Sequence, residues 1–325
     1  MPFGARLRRL AAALETPGLV VLGSGALALA RAPDYRAFVV AAAAAAPAAL
    51  ANNRFSADAV AISRADVLRD LPDLPADNAL PRWLEEVAGL VVADLRRRPR
   101  LGLDLDSPVD VALAGAGLPA VAAGSPVPAR LAAIRSVLTN RRAELTVAGR
   151  TSAATLSLLE RRAACRIRAL VEERGLRAAS RLAQAAGDGT AWAADLPGNR
   201  PGSRPGDVPR GRPGDPPGAP RPPASVLGLL LDRDGPGALG RILARLGDAA
   251  VVDSRVLLAH RLGPDEAAWP PVEDRFASDL LLADRVTDPW LRALTMAAVG
   301  APIPVLLGGH TLVGPGMRLV IGSAQ

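Results

Sequence analysis

Residues 144–171 read ELTVAGRTSAATLSLLERRAACRIRALV. A short apolar run at 144–148 predicts a buried strand, and Gly149-Arg150-Thr151-Ser152 predicts the turn that ends it. The hydroxyl residues then cap a helix over 151–162, and a second strand follows over 165–171. A strand, a helix of about ten residues and another strand make a crossover unit, which brings the two strands side by side in parallel.

The same rhythm extends in both directions. Toward the N-terminus, strands are expected at 19–22, 59–62 and 101–105, and helices at 37–46 and 78–90. The second of these helices carries Asp77 or Asn78 as its cap and Pro81 in its first turn, positions that favour those residues. Ser107-Pro108-Val109-Asp110 starts another helix, and 128–140 is helical. Toward the C-terminus, strands are expected at 226–231, 250–252 and 303–307, with helices at 237–246, 274–282 and 289–299. The fold class predicted is α/β with a largely parallel sheet.

Between 195 and 224 the rhythm stops. Pro, Gly, Arg and Asp dominate there, and repeated Pro-Gly pairs forbid regular helix or sheet, which predicts a disordered linker or insertion. The expected organisation is a first domain over 1–125 and a second α/β domain built from 126–194 and 225–325, interrupted by that linker.

Composition narrows the function classes. The chain has 325 residues, half of them hydrophobic, which excludes a disordered protein. Cys165 is the single cysteine, so an intramolecular disulfide framework is excluded, and with only His260 and His310 a structural zinc site is not expected. No apolar run has the length of a membrane span. Glu15-Thr16-Pro17-Gly18 interrupts the N-terminal stretch where a signal peptide needs continuity, so a short amphipathic helix and a turn are expected, in a cytoplasmic protein. The formal charge is +7, and all of the excess lies between Arg130 and Arg177, where eleven arginines meet four glutamates. With no aromatic residues for stacking in that stretch, a nucleic-acid partner is not expected, whereas a small anionic ligand is.

One string carries a resemblance: Leu101-Gly-Leu-Asp104-Leu-Asp106-Ser107-Pro108-Val-Asp110. It resembles the closing strand and helix of nucleotidyltransferases of the molybdenum-cofactor and phospholactate guanylyltransferase type, which typically end in Asp/Asn-x-Asp/Asn-Thr-Pro-x-Asp. The resemblance implies a Rossmann-type half-domain over about 5–120. It also implies Asp104 and Asp106 as ligands of a magnesium ion that offsets triphosphate charge, and Asn53, Arg54, Asp77 and Asn78 as acceptor-side contacts. Asp110 would cap and orient the following helix. Two departures weaken the implied catalysis. Ser24 or Gly25 stands where the family has an aspartate after its strand, and the family's glycine-rich nucleotide loop has no counterpart in this chain. The implied protein is a degenerate nucleotidyltransferase-like domain, catalytic only if such a loop lies upstream of Met1. The other expectation is a noncatalytic structural or assembly protein.

The second domain offers its own polar residues. Arg150 at the strand-to-helix turn can present a fork to an anion beside free backbone N–H groups. Arg166 and Arg168 share one face of a strand and need partners, either Glu172 and Glu173 or an anionic ligand. Asp253-Ser254-Arg255 ends an apolar strand, where ligand-facing residues of open α/β sheets gather. Arg275, Ser278 and Asp279 share a helical face, and His310 follows a strand and a Gly pair. Asp253, Arg255, Asp274, Asp279 and His310 are expected to converge, with Asp253, Asp274 and His310 as acid/base groups and Arg255 and Arg275 as anion contacts.

Overall fold

A computed structural model of the chain describes residues 1–74, 77–115, 122–172, 224–263 and 265–322. The expected linker at 195–224 therefore lies outside the described residues, apart from Ala224. The chain forms two compact units, one over Met1–Asp104 and a second whose described residues begin at Leu105. The division comes earlier than the boundary expected near 125. Among the described residues no helix is long and apolar enough to cross a membrane.

The first unit is a mixed sheet. Strands β1 (Leu19–Leu22), β2 (Ala48–Ala51), β3 (Ala59–Ile62) and β4 (Val91–Asp94) lie in the order β1-β3-β2-β4. β3 runs antiparallel to both β1 and β2, whereas β2 and β4 are parallel. Alternation along β2 and β3 builds two cores. Ala49, Ala51, Val60 and Ile62 face Leu68, Leu80, Trp83 and Leu84. The residues between them, Leu50, Ala59 and Ala61, face Leu27, Phe38 and Leu101. Full burial of each large apolar side chain contributes about 1.5–3 kcal/mol before chain entropy is counted. Helices α1 (Phe3–Leu14), α2 (Ala32–Ala42) and α3 (Leu80–Glu86) complete the unit.

The strand expected at 101–105 is absent. A 3-10 turn over Pro99–Gly102 stands there, because Pro99 lacks a ladder N–H and Leu101 and Leu103 bury without a strand beside them. Arg98 and Arg100 fasten this turn to the buried Asp34 on α2. The hydrogen bond from Arg100 holds the Asp34 carboxyl well below the usual carboxylate range, against the opposing effect of burial.

In the second unit all four strands are parallel, in the order β6-β5-β7-β8. They are β5 (Glu144–Gly149), β6 (Arg166–Val171), β7 (Ala249–Asp253) and β8 (Val305–Gly308). β7 and β8 are buried throughout, and β5 after its first residue, which is why they read as continuous apolar runs. From β5 the chain steps outward to β6, then returns to the other side of β5 for β7 and β8. The strand order therefore reverses between β5 and β7, the topological switch point of an open α/β sheet.

The helices of this unit are α4 (Pro108–Leu113), α5 (Val127–Thr139), α6 (Ala153–Arg162), α7 (Val226–Asp234), α8 (Leu239–Ala244), α9 (Ser254–Leu262), α10 (Val272–Asp279), α11 (Pro289–Val299), α12 (His310–Val313) and α13 (Met317–Gly322). α4 packs against α10 and α12 and so belongs here rather than with the first domain. α7 occupies the place expected to be a strand at 226–231. Ser225 caps it by accepting the Gly228 N–H, and Leu227, Gly228 and Leu231 form its buried stripe, a helical spacing hidden inside a short apolar run.

Candidate functional site at the carboxyl edge of the parallel sheet

Register places Gly149, Asp253 and Gly308 in one row where β5, β7 and β8 end. The residue that follows each one is Arg150, Ser254 or Gly309, and α6, α9 and α12 begin at this edge. Gly149 has φ of 130°, and a Cβ there would lie 2.3 Å from the Asp253 Cβ. Only glycine fits.

Asp253 is buried and fully engaged. Arg150 donates Nε to one carboxylate oxygen at 2.7 Å and Nη2 to the other at 3.1 Å. The backbone N–H of Arg255 adds a bond of 3.2 Å that caps α9. Arg255 itself reaches Asp279 at the end of α10 through two bonds of 2.6 Å, and donates to Ser254 Oγ at 2.9 Å. Ser254 in turn donates to the Gly308 carbonyl at 3.2 Å. Burial works against the charge of Arg255, but the attraction and hydrogen bonds of Asp279, together with the nearby Asp253 and Asp110, outweigh it and raise the guanidinium pKa. Asp253, Arg255 and Asp279 thus lie together, joined by the ion pairs Arg150–Asp253 and Arg255–Asp279 and by the Arg255 N–H bond to Asp253.

Asp110 of α4 belongs to the same neighbourhood. One carboxylate oxygen, Oδ2, accepts the Ser107 hydroxyl at 2.9 Å and the Asp106 N–H at 3.1 Å. Ser107 accepts the Asp110 N–H in return, so the two residues cap α4 reciprocally. The other oxygen, Oδ1, is buried with no hydrogen-bond partner. Burial, and the nearby charges of Asp279 and Asp106, push this carboxyl up to about 7, against the pull of the Ser107 bond. The sequence marks Asp110 as a helix cap; nothing in the string signals that it is wholly buried.

His310 opens α12, with Nδ1 at 3.8 Å from an Asp106 carboxylate oxygen, and both side chains are exposed. Asp274 has a different task. It accepts the Thr287 N–H and hydroxyl and the Asp288 N–H at 2.7–3.0 Å, tying α10 to the loop before α11. Those bonds lower its pKa although burial acts to raise it. Arg275 pairs with Glu266 at 3.0 Å and stacks on Trp269, so it too serves local structure.

Arg166 and Arg168 do not join this edge. They lie toward the amino end of the strands on β6, an edge strand, and both pair with Glu144 on β5 rather than with Glu172. Glu172 accepts the Val226 N–H, and Glu173 lies outside the described residues. From Arg166 to the carboxyl end of β6 is about 16 Å at 3.3 Å per residue. Among the described strands β6 has a neighbour on one side only, and both arginines keep much of their side chains exposed.

In the first unit, the loop after β2 gathers the other expected contacts. Asn53 accepts the Phe55 N–H at 3.1 Å, and Asn78 accepts the Ser56 hydroxyl at 3.1 Å. Asp77 begins the 3-10 turn that carries Asn78. Arg54 pairs with Glu85 and lies over the Phe55 ring, which Arg96 covers at 4.9 Å. Neighbouring Asn52 is buried and closes the loop through Asp58, Ala59 and the Leu101 carbonyl.

Asp104 and Asp106 are the residues implied as magnesium ligands. Asp104 ends the first unit and Asp106 belongs to the second. Among the described residues no three His, Cys, Asp or Glu side chains are placed to hold a metal. No protein-family model, curated protein or solved structure matches the chain, so the fold and the site rest on their own geometry.

Proposed function

We propose that the chain binds a small anionic ligand, phosphate- or nucleotide-bearing, over the carboxyl edge of β5 and β7. The observation that carries this reading is Arg150 at the switch point. Its Nε and Nη2 hold Asp253, while a third of the side chain stays exposed and Nη1 lies outside those two bonds. Ligands of open α/β sheets sit in the crevice outside the strand ends at this reversal. The first turns of α6 and α9 add N–H dipoles of the sign an anion requires. The nucleotidyltransferase resemblance of 101–110 favours a nucleotide among such ligands. The reading is one of binding, and no transfer step is assigned.

Thermal melting of the full chain with inorganic phosphate, pyrophosphate or GTP, each with and without magnesium, tests it. A ligand at 100 times its dissociation constant adds about 2.7 kcal/mol to stability. Arg150→Gln should abolish the shift. A cooperative melt that none of the three ligands moves would overturn the reading.

One observation favours a second reading, a noncatalytic structural or assembly protein. Asp279 is buried, Arg255 is mostly so, and two bonds of 2.6 Å join them, as in a network that fastens α9 to α10. Absence of any ligand shift, with loss of stability on breaking that pair, would favour it.

A further inference from the structure

His260 on α9 is buried with both ring nitrogens committed. Nδ1 accepts the backbone N–H of Ser225 at 3.1 Å, and Nε2 lies 2.9 Å from an Asp232 carboxylate oxygen on α7. A nitrogen that accepts an N–H carries no proton of its own, so the ring proton is on Nε2 and is donated to Asp232. Gly228 of α7 presses on the ring, since a Cβ there would come within 2.4–2.9 Å of three ring atoms. The imidazole is therefore held by α7 on one side and by the residue before α7 on the other.

We propose that His260 is a proton-operated latch on the start of α7: a second proton, taken up at Nδ1, releases the Ser225 N–H and opens the first turn. The imidazolium has two N–H donors and no acceptor, so Nδ1–H would face Ser225 N–H. Turning the ring over does not help, because a C–H then meets the amide. Gly228 closes the space into which the ring could withdraw. Among the charged groups on α7, Asp232 has a side chain 57% exposed to water, and Arg233 and Asp234 pair with each other. Glu172, behind β6, holds the next amide, Val226 N–H, at 2.6 Å. β8, which also packs on α9, carries no charged residue, and the neighbouring Arg261 lies over Trp290. Ser225 is itself buried, so its N–H has no water to turn to once the ring nitrogen is lost.

Hydrogen exchange of the Ser225, Val226 and Gly228 amides in the full chain tests this, from about pH 8 to 5, the range in which histidines change charge. After correction for intrinsic exchange, protection at these amides should fall at least tenfold on acidification, while β7 amides stay protected. His260→Gln offers the same two partners an uncharged amide, and its protection should not depend on pH. Protection that is indifferent to pH in the natural protein, or that falls equally in His260→Gln, would overturn the latch. Should His260→Gln fail to fold, the ring's own nitrogen signals decide: protection at Ser225 must fall over the same pH range in which those signals report a second ring proton, and a fall outside that range would sink the proposal. Nitrogen chemical shifts of His260 near pH 8 must also show the proton on Nε2, and a proton on Nδ1 would be fatal.

Discussion

Arg150 and Asp253 join the ends of β5 and β7 by two parallel N–H···O bonds of 2.7 and 3.1 Å, between a buried carboxylate and a partly exposed guanidinium. The pair occupies the point where the strand order reverses, and it exists only because Gly149 leaves room for Asp253. Structure and the proposed ligand contact would thus compete for one arginine.

That close approach sets the first expectation. Gly149→Ala places a methyl group into the Asp253 side chain at a backbone conformation that L-residues rarely adopt. Strain and overpacking together should cost about 2–4 kcal/mol. Urea unfolding measures it directly, and a change below about 0.5 kcal/mol would mean that β7 and β5 do not meet as described.

Arg255 and Asp279 should behave as a buried pair. Arg255→Met leaves the buried Asp279, whose pKa burial already raises, without its counter-charge, a loss of about 3–5 kcal/mol. Arg255→Met combined with Asp279→Leu removes both charges and should recover most of that loss, because two apolar side chains of similar volume replace the pair. A double-mutant cycle read from denaturant midpoints checks this. Additive losses would show that the two side chains do not interact.

Much of this edge is legible in the sequence, and the physical reasons differ by residue. β5 and β7 announce themselves as short apolar runs bounded by Gly149 and Asp253, and strand-end residues in such sheets gather by topology. β2 is not legible, because Ala48-Ala-Leu-Ala51 has weak strand preference and forms a strand only between β3 and β4. α7 reads as a strand because Val226-Leu-Gly-Leu-Leu-Leu231 is too short for its period to show. Arg166 and Arg168 read as members of a buried strand, since a sequence does not tell which strand ends up at the edge. Asp274 and Asp279 lie five positions apart on one helix, yet one clamps a loop and the other meets Arg255. Their distinction depends on contacts formed by distant segments.

Asp110 should make stability depend on pH in an unusual direction. Its folded value of about 7 lies above the ordinary aspartate value, so the folded chain holds a proton that the unfolded chain has released. The stabilising contribution is therefore complete below about pH 4, the unfolded value, and is lost as pH rises through about 7. The total is on the order of 4 kcal/mol at most, from three pH units at about 1.4 kcal/mol each. Asp110→Asn mimics the neutral acid and should flatten the profile between about pH 5 and 8. Urea midpoints across that range decide it; a wild-type profile that rises toward pH 8 as far as the variant's would contradict the buried, unpaired oxygen.

Asp274 separates a structural residue from Arg150, the proposed ligand contact. Its bonds to Thr287 and Asp288 hold the loop that leads into α11, whose cap is Asp288 accepting the Leu291 N–H at 2.7 Å. Asp274→Ala strands two backbone N–H groups and a hydroxyl, which should cost about 2–4 kcal/mol. The same variant should keep the full thermal shift produced by phosphate or GTP, because the residue takes no part in the Arg150 edge. Arg150→Gln is expected to leave no ligand shift, and to lose stability as well, since it leaves the buried Asp253 carboxylate without its counter-charge. Measuring melting temperature and ligand shift for both variants gives two ratios that a single structural network could not produce. If Asp274→Ala abolished the shift at temperatures where the protein is still folded, the loop at 287–288 would have to be counted as part of the site.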